Sequence, residues 1–137
     1  MTTYRENPSP IPNPIPTSEP FWAATKEHKL MLQRCANGHV FYYARTHCAE
    51  CLSRELEWIE ASGRGTLYSF TVCERAQSPE FESDVPYTVA AIALEEGPRM
   101  TSLLVDTAPE AVKCDMAVEV VWQDVSDEVS MPYFRGV

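Results

Sequence analysis

The 137-residue chain carries twenty acidic against eleven basic residues, a net charge of −9, and is 45% hydrophobic and 23% charged. The composition is ordinary for a globular protein, and the acidic excess argues against nucleic acid, whose phosphates reward clustered Lys and Arg. No apolar run approaches the roughly 20 residues of a membrane span, and residues 1–20 lack the basic start and apolar stretch of a signal peptide. The expectation is a cytoplasmic protein with no membrane partner, whose length allows one moderate core or a smaller core with a metal-stapled appendage.

Residues 1–17 form a Pro-rich arm, and the run 7–16 is expected to be extended and polyproline-like, without a core of its own. Thr17-Ser18-Glu19-Pro20 reads as a helix start, with Ser18 as cap and Pro20 in the first turn. The helix should cover about 20–28 with Phe21, Trp22 and Ala24 as apolar contacts, and it is too short to stand alone. Leu30-Met31-Leu32-Gln33-Arg34 then reads as a strand that delivers Cys35.

Three of the five cysteines crowd between Cys35 and Cys51. In a cytosolic chain such spacing favours metal or redox chemistry over disulfides. Cys48-Ala49-Glu50-Cys51 is a good metal-binding turn, whereas in Cys35-Ala36-Asn37-Gly38-His39 the position three after Cys35 is a glycine with nothing to offer. His39, one residue later, fills the fourth corner of a structural zinc site made by Cys35, His39, Cys48 and Cys51. His47 adjoins Cys48 and should point away from it. The plain alternative is a ribbon without metal, held by Val40, Phe41, Tyr42 and Tyr43. A redox role lacks the strand-to-helix context of such motifs, and four protein ligands leave a catalytic metal no open position. Cys73 and Cys114, among apolar neighbours, read as small buried hydrophobes.

From Leu56 the texture changes to strands and turns. Leu56–Glu60 is a short strand, Gly63-Arg64-Gly65 a turn or bulge, and 66–74 an alternating strand. There Tyr68, Phe70 and Val72 fall on one face, and Leu67, Ser69, Thr71 and Cys73 on the other. A loop follows, then strands at 87–94 and 99–105, a helical turn within 107–116, and strands at 117–123 and 129–134. The expected organisation is a helix and zinc-ribbon module over 18–55, followed by a five-stranded antiparallel barrel of the OB type over 56–137. A β-sandwich is the other solution that the periodicity allows.

The order of these features carries a resemblance. Phe21-Trp22 precedes Leu32-Gln33-Arg34-Cys35; the ribbon closes with Cys48-Ala49-Glu50-Cys51; then come Ser62-Gly63-Arg64-Gly65-Thr66, Val85-Pro86-Tyr87 and Glu95-Glu96-Gly97-Pro98-Arg99. From about residue 20 to 135 the chain resembles the OB-fold, acyl-CoA-associated family once catalogued as a domain of unknown function, which joins a rubredoxin-like zinc ribbon to an OB-fold barrel. The resemblance implies a non-catalytic partner of thiolase-fold enzymes (thiolases, acyltransferases or aldolases) that stabilises them and helps shape an acyl-CoA channel. The chain departs from the family at Gly38, where a cysteine ligand is usual.

The residues themselves agree that a stand-alone catalyst is hard to build here. Nucleophilic catalysis needs an activated residue beside a base, and His28, His39 and His47 all lie in or before the ribbon. The candidate partner surface is the arm with Phe21, Trp22, Tyr133 and Phe134; the other reading of Phe21 and Trp22 is that they anchor the helix to the barrel. A second function is a stand-alone binder of coenzyme A thioesters, with Arg64 and Arg75 meeting the phosphates. A third is a single-stranded nucleic-acid binder with Tyr68, Phe70 and Trp122 as platforms, against which the charge stands.

Overall fold

The computed structural model describes residues 2–137. One helix, α1 (Glu19–Thr25), precedes a three-stranded antiparallel sheet of order β2-β1-β3, made by β1 (Met31–Cys35), β2 (Val40–Phe41) and β3 (Leu56–Glu60). Five further strands close a barrel of order β4-β5-β6-β8-β7: β4 (Arg64–Cys73), β5 (Tyr87–Leu94), β6 (Arg99–Leu104), β7 (Ala117–Asp124) and β8 (Ser130–Gly136). Short 3-10 helices at Pro79–Asp84 and Pro109–Ala111 fill the two longer connections. The strands close into a barrel and do not stack as a sandwich.

Leu56–Glu60, expected as the first barrel strand, pairs along its whole length with β1, so it belongs to the ribbon sheet. The helix is shorter than expected. His28 takes φ +59, a left-handed geometry that ends a helix, and its N–H donates to the Thr25 carbonyl at 2.8 Å. Ser18 makes no side-chain cap; its hydroxyl donates to the Ile15 carbonyl at 3.2 Å. Thr25, fully buried, ties the helix to β8 by accepting the Ser130 N–H at 3.1 Å.

The alternation expected along β4 breaks at one place. The register slips between Leu67 and Ser69 against β5, making Tyr68 the extra residue of a β-bulge. A one-residue slip exchanges the faces of a strand, so Leu67 and Phe70, which simple alternation puts on opposite faces, both pack into the core. Gly65 allows β4 and β5 to close up: a Cβ there would sit 2.5 Å from the Ala93 carbonyl oxygen. Gly63 combines φ +82 with Val120 Cγ1 2.6 Å from where its Cβ would be.

The arm is not free. Gln123 accepts the Tyr4 and Arg5 N–H groups at 2.7 and 2.9 Å and donates to the Arg5 carbonyl at 2.8 Å. The Arg5 guanidinium is buried: Nε donates to Asp84 at 2.7 Å, Nη2 to the Ser9 and Glu80 carbonyls, and its plane lies 4.0 Å from the Phe81 ring. A buried arginine is stable only when paired in this way, and the arm is thereby fixed to the barrel through side chains. Arg5→Ala should lower the unfolding free energy by about 2 kcal/mol, the scale of a charged hydrogen-bond network lost. Urea denaturation measures it, and an unchanged midpoint would show the arm to be energetically idle.

Candidate metal centre

β1 carries the chain into the first turn of the centre. Beyond Cys35 the backbone folds back at once: the Gly38 N–H donates to the Cys35 carbonyl at 2.9 Å and the Cys35 N–H to the His39 carbonyl at 3.0 Å. Gly38 sits at φ +88, a conformation that glycine adopts without strain. The second turn closes similarly, with the Leu52 N–H on the Cys48 carbonyl and the Cys48 N–H on the Ser53 carbonyl, each at 2.9 Å.

These turns bring the Sγ atoms of Cys35, Cys48 and Cys51 and a ring nitrogen of His39 within 4.8 Å of one another. The edges of this group are informative. Cys35 Sγ lies 3.7 Å from Cys51 Sγ, and His39 Nδ1 lies 3.4 Å from Cys35 Sγ and 3.5 Å from Cys48 Sγ. A tetrahedral zinc with ordinary bond lengths has S–S edges of about 3.8 Å and S–N edges of about 3.5 Å. The donor set therefore fits a four-coordinate metal of zinc type.

The surroundings prepare the donors. The Asn37 side-chain N–H donates to Cys51 Sγ at 3.2 Å. With the backbone at Ser53 it holds the Cys51 thiol down to about 6, which favours the thiolate. Hydrogen bonds to Cys51 and Cys48 raise the His39 pKa above its ordinary value, so protons compete more strongly with a metal for this ring. The His39 N–H and Glu50 N–H donate to Cys35 and Cys48 sulfurs at 3.3 and 3.4 Å. Glu50 lies 3.7 Å from His39 Nε2, where a carboxylate orients a histidine that coordinates through Nδ1. Cys35 and Cys48 are buried, while His39 and Cys51 are half-exposed. His47 stays outside the group, with Nδ1 3.0 Å from the Thr46 hydroxyl.

The other candidates from the sequence do not converge. Arg64 opens β4 and Arg75 lies in the bend two residues beyond its end, so the ten-residue strand, about 30 Å of extended chain, stands between them, and Arg64 is engaged with Glu95 at 3.2 Å. Phe21, Tyr133 and Phe134 are buried in the chain itself, at 6%, 3% and 0% exposure, and are not surface residues. Phe21 meets Trp22 and Tyr42 edge-on, at centroid distances of 4.9 and 5.5 Å, so it anchors the helix. Trp22 is half-exposed and lines a cleft of about 260 Å³ with Tyr42, Phe81 and Met131. Cys73 is half-buried and Cys114 exposed, so neither is the buried hydrophobe expected.

Some contributors had no signal in the sequence. His28 stacks on Trp122 at 5.5 Å and 3° and bonds Asp124 at 2.9 Å, which holds that carboxyl below its usual range. This clasp spans ninety-six positions and leaves no local pattern. Asn37 and Glu50, by contrast, stand between ligands in the two turns, where polar residues near the sulfurs were legible.

No helix among the described residues is long and apolar enough to cross a membrane. Two family models match: residues 22–57 match the ChsH2 rubredoxin-like zinc ribbon domain, and residues 58–123 the ChsH2 C-terminal OB-fold domain. A DUF35 domain-containing scaffold protein of Methanocaldococcus jannaschii is 37% identical over 110 residues, covering 78% of this chain and 77% of that protein. A probable enoyl-CoA hydratase alpha subunit of Thermomonospora curvata is 35% identical over 117 residues, covering 84% of this chain and 36% of the subunit. The chain thus spans about a third of that relative's length. A solved chain described as Ltp2-ChsH2(DUF35) aldolase superposes with a TM-score of 0.81 at 31% identity, covering 92% of this chain and 98% of that one. Ribbon, barrel and sequence agree that the chain belongs to the ChsH2 (DUF35) family of zinc-ribbon and OB-fold proteins.

Proposed function

We propose that the chain is a non-catalytic accessory subunit of an acyl-CoA-processing complex. In this reading it pairs with a thiolase-fold catalytic protein (a thiolase, acyltransferase or aldolase), stabilises it and helps shape its acyl-CoA channel. The closed donor set carries the reading. Cys35, His39, Cys48 and Cys51 lie close enough to supply all four ligands of one ion, which supports a structural metal with no open position and chemistry that lies with a partner. Relatives named as a scaffold protein, as a hydratase alpha subunit and as a component of an aldolase support it. The resident metal in this reading is one zinc. Its bound form would tie the end of β1 to the loop after β2, with His39 in the place that Gly38 cannot fill.

A stand-alone coenzyme A binder has less behind it, because Arg64 and Arg75, with the length of β4 between them, cannot clasp one pyrophosphate. Single-stranded nucleic acid is disfavoured by the net charge of −9.

Metal analysis of the purified protein should find close to one zinc per chain. His39→Ala and Cys51→Ser should each lower the content well below that and speed loss to a chelator. Metal-free protein with an unchanged fold would mean that the ribbon is kept for its shape. The isolated chain should not turn over acyl-CoA substrates, and co-production with its catalytic partner should raise the soluble yield of both. Turnover by the chain alone at on the order of one per second, an ordinary enzymatic rate, would sink the accessory reading.

A further inference from the structure

β5 reads Tyr-Thr-Val-Ala-Ala-Ile-Ala-Leu and is apolar on both of its faces. Thr88, Ala90, Ile92 and Leu94 are buried in the barrel, while Val89, Ala91 and Ala93 alternate with them and lie half-buried on the outside. A barrel strand that faces water normally alternates apolar with polar residues, and one that is apolar on both faces is usually covered on both. The neighbouring strands are more polar outside, with Thr66, Ser69 and Thr71 exposed on β4 and Arg99 and Thr101 on β6, but none of these side chains is acidic. β4, β5 and β6 together contain no Asp or Glu, in a chain with twenty acidic residues.

The outer face has one unusual charge. The bulge turns Tyr68 outward, 54% exposed, and the Arg99 guanidinium lies 4.2 Å from its ring centre. Unlike Arg64, which holds Glu95, Arg99 has no carboxylate partner among the described residues. At its other end the face runs into the cleft of about 260 Å³, whose walls include Val89, Thr101 and Leu103 from β5 and β6 and Trp22, Tyr42 and Phe81 from elsewhere.

We propose that the outer face of β4, β5 and β6, together with this cleft, is the docking surface for the catalytic subunit. The partner presents an apolar side chain, which enters the cleft beside Trp22 and Tyr42, and a carboxylate that meets Arg99. Aromatic pockets that take an apolar anchor, and arginines, are both enriched among the residues that carry interface binding energy. A second copy of this chain does not fit: a face without acids laid on itself leaves Arg99 unanswered, and each copy carries −9. The surface rests on the accessory-subunit reading.

The test uses the full-length tagged chain to capture its partner from an extract of the producing organism. The retained protein is identified by mass spectrometry, and its affinity is then measured with both proteins purified. A stoichiometric acyl-CoA-processing enzyme is expected. Ala91→Glu and Arg99→Glu should each weaken its binding at least tenfold, while Lys113→Glu, at an exposed position after the barrel's third strand, should not. Circular dichroism and thermal midpoints close to the parent's show that the variants fold. If the enzyme is captured and both variants bind it as tightly as the parent, the docking surface is wrong and the subunit reading stands. If no stoichiometric enzyme is retained, both fall. A solution dimer of the chain alone that Ala91→Glu dissolves would assign the face to a second copy and overturn the proposal.

Discussion

Leu30 and Leu32 belong to the same buried apolar cluster as Leu67, Ile92, Met100 and Phe134, and the ribbon and barrel therefore share one core. That continuity governs the rest of the molecule. Each fully buried leucine contributes about 2 kcal/mol of apolar burial, and a three-stranded sheet with a two-residue edge strand is marginal alone. β1 is the junction: its inner residues enter the barrel's core, its two edges pair with β2 and β3, and its last residue is one of the candidate metal donors. The metal turns are thus held on a strand that cannot move without disturbing the barrel.

Much of this was legible in the sequence, because it depends on local chemistry. The spacing of Cys35, His39, Cys48 and Cys51 is set by two tight turns, and turn geometry is a property of a few consecutive residues. The strand positions follow from period-two alternation and turn residues, which by themselves leave a closed barrel and a stacked sandwich both open. What escaped was non-local. The bulge at Tyr68 depends on the pairing with β5 and on the close approach that Gly65 permits, neither of which appears in β4 alone. Tyr133 and Phe134 read as an exposed aromatic tail, but β8 fills the gap between β6 and β7 and both side chains are covered. The arm reads as an extended Pro-rich segment without a core of its own, and neither Arg5 nor Gln123, which fix it to the barrel, lies within a motif.

Charge is distributed by function across the fold. Acidic residues gather in the loops and on the ribbon, where solvent accepts them at little cost, while three adjacent barrel strands have none. The Arg5–Asp84 pair is a different case: it is buried and spans seventy-nine positions, and it sets where the arm lies more than it adds net stability. The half-exposed His28–Asp124 pair is held in place by its stack on Trp122 and secures the opposite end of the helix.

The loop between His39 and Cys48 has two attachments. Its ends are two of the four candidate metal donors, and Tyr42 in its middle forms a wall of the cleft beside Trp22. One segment therefore both walls a cleft on the barrel's flank and brings candidate metal donors together at its ends. A zinc held there, as proposed, would brace that wall from both ends, adding to the packing of Tyr42 on Phe21.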